Sequence, residues 1–211
     1  MAKIILVRHG YSVYNKEDRF AGQLDIPLDE IGVTQAESVC RYIIDNYRVD
    51  KVYSSCLSRA YNTVKKIGDH FNIEIIKSKE ISELDVGVWG GMKFSDVEKI
   101  YPEAFKKYKE SPAGNGCVGG ECFNDLIKRS TSYMEKIANE NKGKTIVVGT
   151  HGGVIKSLLC KWGGHNPENL KELPIVPNAS ITIVNYENGK AEFEVIGYDD
   201  YLEITTTYKL P

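Results

Sequence analysis

The sequence predicts a three-layer α/β/α domain built on a mostly parallel sheet, and three observations carry that expectation. Short apolar runs alternate with longer segments of helical spacing, the order found where helices cover both faces of a sheet. Two of the short runs, residues 3–7 (KIILV) and 145–149 (TIVVG), are almost continuously apolar, as strands buried on both faces are. The longer segments each carry one apolar stripe. With 211 residues, 42% hydrophobic and 27% charged, the chain has the composition of a globular protein and the length for one well-buried core.

Taken in order, residues 3–7 form the first strand. Between 34 and 47, Ala36, Val39, Cys40, Ile43, Ile44 and Tyr47 recur at helical spacing, with Thr34 placed as a cap. Val52 and Tyr53 mark a second strand. A helix follows over 58–71, turning Ala60, Val64, Ile67 and Phe71 inward, and a third strand over 73–76. Residues 123–138 form a long amphipathic helix, 145–149 a buried strand, and 153–162 the helix after it. Strands at 180–184 and 191–196 flank Asn188-Gly189, a strong hairpin signal. The stretch 82–120 breaks this rhythm. It is expected to be an insertion over one end of the sheet, within a single domain spanning 1–211.

Bulk properties remove several function classes. A formal net charge of −2 offers no polyanion-binding surface, so nucleic acid is not an expected partner. The apolar run ending at Arg8 is too short for a signal peptide or a membrane span, so no membrane partner is expected. Five scattered cysteines (Cys40, Cys56, Cys117, Cys122 and Cys160) lack metal-ligand spacing and read as reduced thiols of a cytoplasmic protein.

The chemistry concentrates at strand ends. Arg8, His9 and Gly10 follow the first strand, while His151, Gly152 and Gly153 follow the TIVVG strand and open a helix. Arg59 begins the helix after the second strand. Parallel strands would deliver all of these to one edge, where open sheets bind ligands. Two histidines and two arginines beside a helix N-terminus call for an anion, and phosphate matches the arginine fork.

With these residues in view, the sequence resembles the histidine phosphatase superfamily, the phosphoglycerate mutase-like proteins. The resemblance runs through LVRHGYSVYN (6–15), DIPLDEIGVTQA (25–36), YSSCLSRAYNT (53–63), ISELDVGVWGG (81–91), GGE (119–121) and VVGTHGGVIK (147–156), in family order across most of the chain. It implies the phosphoglycerate mutase-like fold. It also implies that His9 accepts the phosphoryl group, that Arg8, Arg59 and His151 hold its oxygens, and that Asn15 lies beside them. Gln23 and Gly152 complete the implied phosphate- and substrate-binding set, and Glu83 would protonate the leaving alcohol. No metal and no other cofactor is implied. Gly90, Tyr11 and Cys122 depart from residues common in the family at those positions.

Other conspicuous residues have plainer readings. His70 and His165 are expected at the surface or in packing, and Trp89 in packing. Residues 101–109 read as a solvated helix face, or as a lid supplying cations. Glu121 reads as support for the following helix N-terminus or as part of a pocket-edge loop.

Three functions compete. A mutase would return the phosphoryl group to a bound intermediate, and family mutases resemble one another in Asn-Ser-Leu-Arg after the second His-Gly. This chain has HGGVIK there, and Leu84 where mutases carry an extra arginine. A binding protein without turnover would have lost a catalytic histidine or the acid, and all three are present. The expectation is therefore a phosphatase of small phosphorylated metabolites, monomeric or homodimeric.

Overall fold

The computed structural model describes residues 1–206. Six strands, β1 (Ala2–Arg8), β2 (Lys51–Ser55), β3 (Ile75–Ser78), β4 (Thr145–Thr150), β5 (Ile181–Glu187) and β6 (Lys190–Tyr198), form one sheet in the order β3-β2-β4-β1-β5-β6. The β3, β2, β4 and β1 strands run parallel. The hairpin β5–β6 joins with β5 antiparallel to β1. Among the described residues seven helices accompany the sheet: α1 (Val13–Lys16), α2 (Glu30–Asn46), α3 (Ser58–Phe71), α4 (Phe94–Ile100), α5 (Pro102–Glu110), α6 (Phe123–Glu140) and α7 (Gly152–Trp162).

Alternation along the central strands sorts side chains into two layers. On β1, Ile4 and Leu6 pack with Leu126, Met134, Ile155 and Leu158 from α6 and α7. Ile5 and Val7 point the other way, against Val39, Ile43, Val64 and Ile67 from α2 and α3. Both sets are fully buried, which explains why a period-two strand reads as an unbroken apolar run. This is the predicted three-layer arrangement.

Local differences have local causes. The α2 helix begins four residues before Thr34, because Asp29 is the cap and accepts from Gly32 N at 2.8 Å. Gly32, a poor helix former, hides that first turn in the sequence. Thr34 instead bonds back to Glu30 O within the helix at 3.2 Å. The β3 strand starts two residues later than expected, since Asn72 adopts a left-handed conformation (φ 53°) to end α3 and Ile73 N still bonds Gly68 O. At the hairpin, Asn188 and Gly189 both have positive φ (49° and 82°), the backbone that a two-residue primed turn needs.

Residues 82–120 carry α4 and α5 between short 3-10 turns. Trp89 and Phe105 from this segment are buried in the same core layer as Leu6 and Leu126. Their rings meet at 5.7 Å, and Trp89 also meets Phe20 at 5.6 Å.

Candidate active site

Because β1, β2 and β4 are parallel, the residues following them emerge at one edge. The histidines meet there: the His9 and His151 rings lie 5.2 Å apart, centroid to centroid. Arg8, His9, Asn15, Arg59 and Glu83 line one cleft of about 630 Å³ including its open mouth. His151 lies fully buried behind His9, and Gly152 borders an adjoining chamber with Arg8 and Glu83. Gln23 is exposed and does not line the cleft; its side-chain amide instead reaches Glu83 O at 3.2 Å.

The hydrogen bonds fix how the groups are presented. His9 Nδ1 lies 2.7 Å from Gly10 O. A carbonyl only accepts, so Nδ1 carries the proton and Nε2 keeps its lone pair, the form required of a nucleophile. Arg59 donates through Nη1 to Leu24 O (2.8 Å) and through Nη2 to Gly22 O (2.7 Å), which aims the buried guanidinium and leaves Nε without a partner. Arg8 Nη1 donates to Val176 O. Both ring nitrogens of His151 are buried and unpartnered among the described residues. Asn15 Oδ1 accepts from Ser12 N (3.0 Å), Ser12 Oγ (2.8 Å) and Asn178 Nδ2 (3.4 Å). The acceptor end of that amide is thus occupied by protein, and its donor end is the one left for an anion.

Electrostatics agree with this geometry. Burial first, then the charges of Arg59 and Arg8, hold the His9 imidazole well below the usual histidine range. Burial likewise depresses His151, with Arg59 and His9 adding to it. Both rings are neutral in the free protein at pH 7. Burial also lowers Arg59 to about 10, which still leaves it a cation.

Glu83 is held from two directions. Its Oε1 accepts from Leu84 N at 2.8 Å and its Oε2 from Gly153 N at 3.2 Å, at the start of α7. A Cβ on residue 153 would fall against Glu83 Oε1, so any larger residue there would push the carboxylate out of this position. The backbone that carries Glu83 is gripped by Arg129, which donates to Glu80 O (2.8 Å), Ser82 O (2.9 Å) and Glu83 O (2.9 Å). Glu121 meets the same guanidinium with both oxygens, at 2.7 and 2.8 Å, and accepts from Asp85 N at 3.0 Å. Glu121 therefore does not serve the α6 N-terminus; Cys122 and Asp125 form that capping box.

Several contributors were not singled out in the sequence. Thr63 Oγ1 accepts from Gly10 N (3.0 Å) and donates to Arg59 O (2.7 Å), tying the His9 loop to α3. Asn178 Nδ2 supports His9 O at 3.0 Å. Thr63 is findable as the residue one turn after Arg59, whereas Asn178 looks like an ordinary turn residue before a strand. Arg19 also lines the cleft, hidden in sequence within the charged run KEDR. The α5 segment supplies no cations: Lys106, Lys107 and Lys109 are exposed, while Tyr108 lines the cleft together with Phe94. Trp89 is core packing, and His70 and His165 are exposed. Among the described residues no three His, Cys, Asp or Glu side chains gather as a metal site, and no helix is long and apolar enough to cross a membrane.

The fold thus gathers two arginines, two neutral imidazoles and a glutamate around one cleft. The sequence model of the histidine phosphatase superfamily (branch 1) matches residues 4–199. Phosphoserine phosphatase 1 of Hydrogenobacter thermophilus is 34% identical over 187 residues, which span 89% of this chain and 88% of that protein. Phosphoglycerate mutase-like protein 4 of Arabidopsis thaliana is 32% identical over 207 residues, 97% of this chain and 88% of that one. Among solved structures, Bacillus stearothermophilus YhfR superposes with a TM-score of 0.90 at 26% identity, covering 96% of this chain and 100% of that one. The chain belongs to the histidine phosphatase superfamily. Within it the chain is a histidine-type phosphatase, a hydrolase of phosphoric monoesters.

Proposed function

We propose that the chain hydrolyses small phosphorylated metabolites in two steps, with His9 carrying the phosphoryl group between them. The observation that supports this best is the set of buried, unpartnered nitrogens beside His9: both of His151 and Nε of Arg59. Buried polar atoms without partners cost stability, and the Arg59 Nε–H and the one N–H that a neutral His151 carries are accounted for when phosphoryl oxygens accept from them.

In the first step, His9 Nε2 attacks phosphorus as the bond to the leaving oxygen breaks. Arg8, Arg59 and His151 take up the charge on the equatorial oxygens, and Asn15 adds its amide donor. Glu83, protonated, gives its proton to the leaving alkoxide. In the second step, water attacks the phosphohistidine while the Glu83 carboxylate accepts a proton from it. The P–N bond then breaks, orthophosphate leaves, and His9 is restored. The chain acts as one catalytic domain, with residues 82–120 capping the cleft, Gln23 steadying the Glu83 loop from the rim, and Gly152 opening the helix beside the anion. Five cysteines, all free, and the absence of a membrane-crossing helix among the described residues support a cytoplasmic enzyme.

The test is alkaline trapping of a phosphohistidine, stable to base and labile to acid, during turnover of a phosphomonoester. Wild type should label at His9 and release inorganic phosphate. His9→Ala should neither label nor turn over, a loss of at least about 10³-fold for a covalent nucleophile. Label retained in His9→Ala, or transfer between hydroxyls without phosphate release, would overturn this reading.

A further inference from the structure

Strand β1 ends at Arg8, and His9 N makes the last main-chain bond to β4, at Thr150 O (2.9 Å). Beyond that point the backbone of the nucleophile loop is held by side chains. Gly10 N donates to Thr63 Oγ1 (3.0 Å) and Tyr11 N to Gln35 Oε1 (2.8 Å). The carbonyls are met by Asn178, whose Nδ2 lies 3.0 Å from His9 O and 3.5 Å from Gly10 O. Ala179 N adds a second bond to His9 O at 3.2 Å. Thr63, Gln35 and Asn178 are all buried.

A carbonyl only accepts, so the end of the Asn178 amide facing these two must be its donor end. The same nitrogen lies 3.4 Å from Asn15 Oδ1, the acceptor end of that amide, which also takes Ser12 N. Asn178 Oδ1 is left buried and without a partner among the described residues. An unsatisfied buried acceptor is a cost that leucine, of similar volume, would not carry. Asn178 therefore acts through its donor side, on the main chain of the nucleophile and on the amide set for the anion. The next residue carries a second cost. Ala179 is fully buried with φ 55°, in the left-handed region that an alanine disfavours. Tyr201 Oη donates to Ala179 O and fastens this turn. Arg8 is tied to the same turn, through its N to Ser180 O (3.1 Å) and its Nη1 to Val176 O. No residue from 176 to 180 lines the cleft, so the turn works through the groups it holds.

We propose that Asn178 is a positioning residue for phosphoryl transfer. Its amide sets the direction of the Gly10 carbonyl, which in turn holds His9 Nδ1–H at 2.7 Å and leaves Nε2 to attack. It also keeps Asn15 turned with its donor end toward the anion. Without Asn178 the Gly10 peptide is restrained at its Tyr11 N end alone. The imidazole can then rotate or exchange tautomer, and its lone pair is aimed at phosphorus in fewer molecules.

This proposal rests on reading His9 as the phosphoryl carrier, and the experiment separates the two. Release of the aryl alcohol from an aryl phosphate is followed in single turnover with enzyme in excess. Its limiting rate reads phosphoryl transfer in folded enzyme, while the half-saturating enzyme concentration absorbs any loss of folded molecules. Asn178→Leu should lower the limiting rate by about 10–10²-fold, the scale expected of a misplaced nucleophile. Long-range proton–nitrogen NMR spectra should show one His9 tautomer in wild type and both in the variant. Asn178→Asp keeps the shape but turns oxygen toward both carbonyls, and should slow the reaction at least as much. Should the Leu variant fail to fold, the Asp variant decides. A limiting rate unchanged in a folded variant, with only the half-saturating concentration raised, makes Asn178 a packing residue and overturns the proposal. Wild-type turnover without a phosphohistidine at His9 brings down the carrier reading, and the proposal with it.

Discussion

The phosphoryl end and the leaving-group end of the cleft are built by different means. At the phosphoryl end, Arg8, His9, Arg59 and His151 are at most 5% exposed and sit at the ends of β1 and β4 or in the first turn of α3. Their positions follow from strand pairing and two packed core layers. At the leaving-group end, Glu83 rides on a loop after a 3-10 turn, and its place depends on Gly153 N, Arg129 and Glu121. In the proposed mechanism, chemistry common to every phosphomonoester rests on the rigid half. Handling of the departing alcohol rests on a half whose geometry is imposed by a few polar contacts and so can be altered without disturbing the sheet.

The sharpest way to break this comparison is to remove the acid alone. Glu83→Gln is expected to slow hydrolysis of alkyl phosphates by about 10²–10⁴-fold, because an alkoxide needs a proton as it leaves. An aryl phosphate with a good leaving group should lose far less, and phosphohistidine should still form from it. Steady-state rates on a matched alkyl and aryl pair provide the check. Equal losses on both would place Glu83 in phosphoryl binding and erase the division between the two ends.

A smaller and more selective effect is expected from Arg129→Met. This side chain does not line the cleft that holds His9; it fastens the carbonyls of residues 80, 82 and 83 and pairs with Glu121. Misplacement of a proton donor by about 1 Å costs on the order of 10²-fold, so a loss of about 10–10²-fold on alkyl phosphates is expected, with aryl phosphates nearly spared. Arg129→Lys should rescue little, since an ammonium cannot reproduce the fork that spans Glu121 and three carbonyls. A merely structural role would instead lower both rates together along with the fraction folded, and that pattern would dismiss the clamp as a positioning device.

The same division explains what was legible in the sequence. The rigid half was readable because strand periodicity, glycine-flanked histidines and parallel order all point to one edge, and His9, His151, Arg8 and Arg59 do converge there. The loop half was less so. Glu83 was carried by resemblance alone, and Arg129 was invisible because it sits on an exposed-looking face of α6, 46 residues from the carbonyl it holds. Gln23 was expected at the phosphate but turns to the Glu83 carbonyl, an outcome fixed by the path of the loop and by no local pattern. Residues 101–109 read as a solvated helix face or as a lid supplying cations, and the first reading holds for the lysines of α5. Phe105 at the center of that helix is only 1% exposed and commands the core-facing side, so the lysines are rotated into solvent. Contacts set by periodicity are local and readable; those set by the meeting of two loops are not.

The smallest expected effect tests whether the rigid half is as dry and neutral as its geometry indicates. His9 and His151 both have imidazoles held well below the ordinary value of about 6.5, chiefly by burial. In the unfolded chain these rings protonate near that value, while in the folded protein they do not. Below about pH 6.5 the unfolded state therefore binds more protons, and stability falls as pH falls. The contribution is fully present above pH 6.5 and is lost as pH drops toward the folded values, by up to about 1.4 kcal/mol per pH unit for each ring. Urea melts at pH 7.5 and 5.5 should show this loss in wild type and a smaller one in His151→Gln. Saturating vanadate should flatten the slope further, because an anion beside the rings restores the charged form and binds only the folded state. A wild-type slope identical to that of the variant would mean that the rings are already solvated or charged, and the phosphoryl end would then be no more sheltered than the loop that carries Glu83.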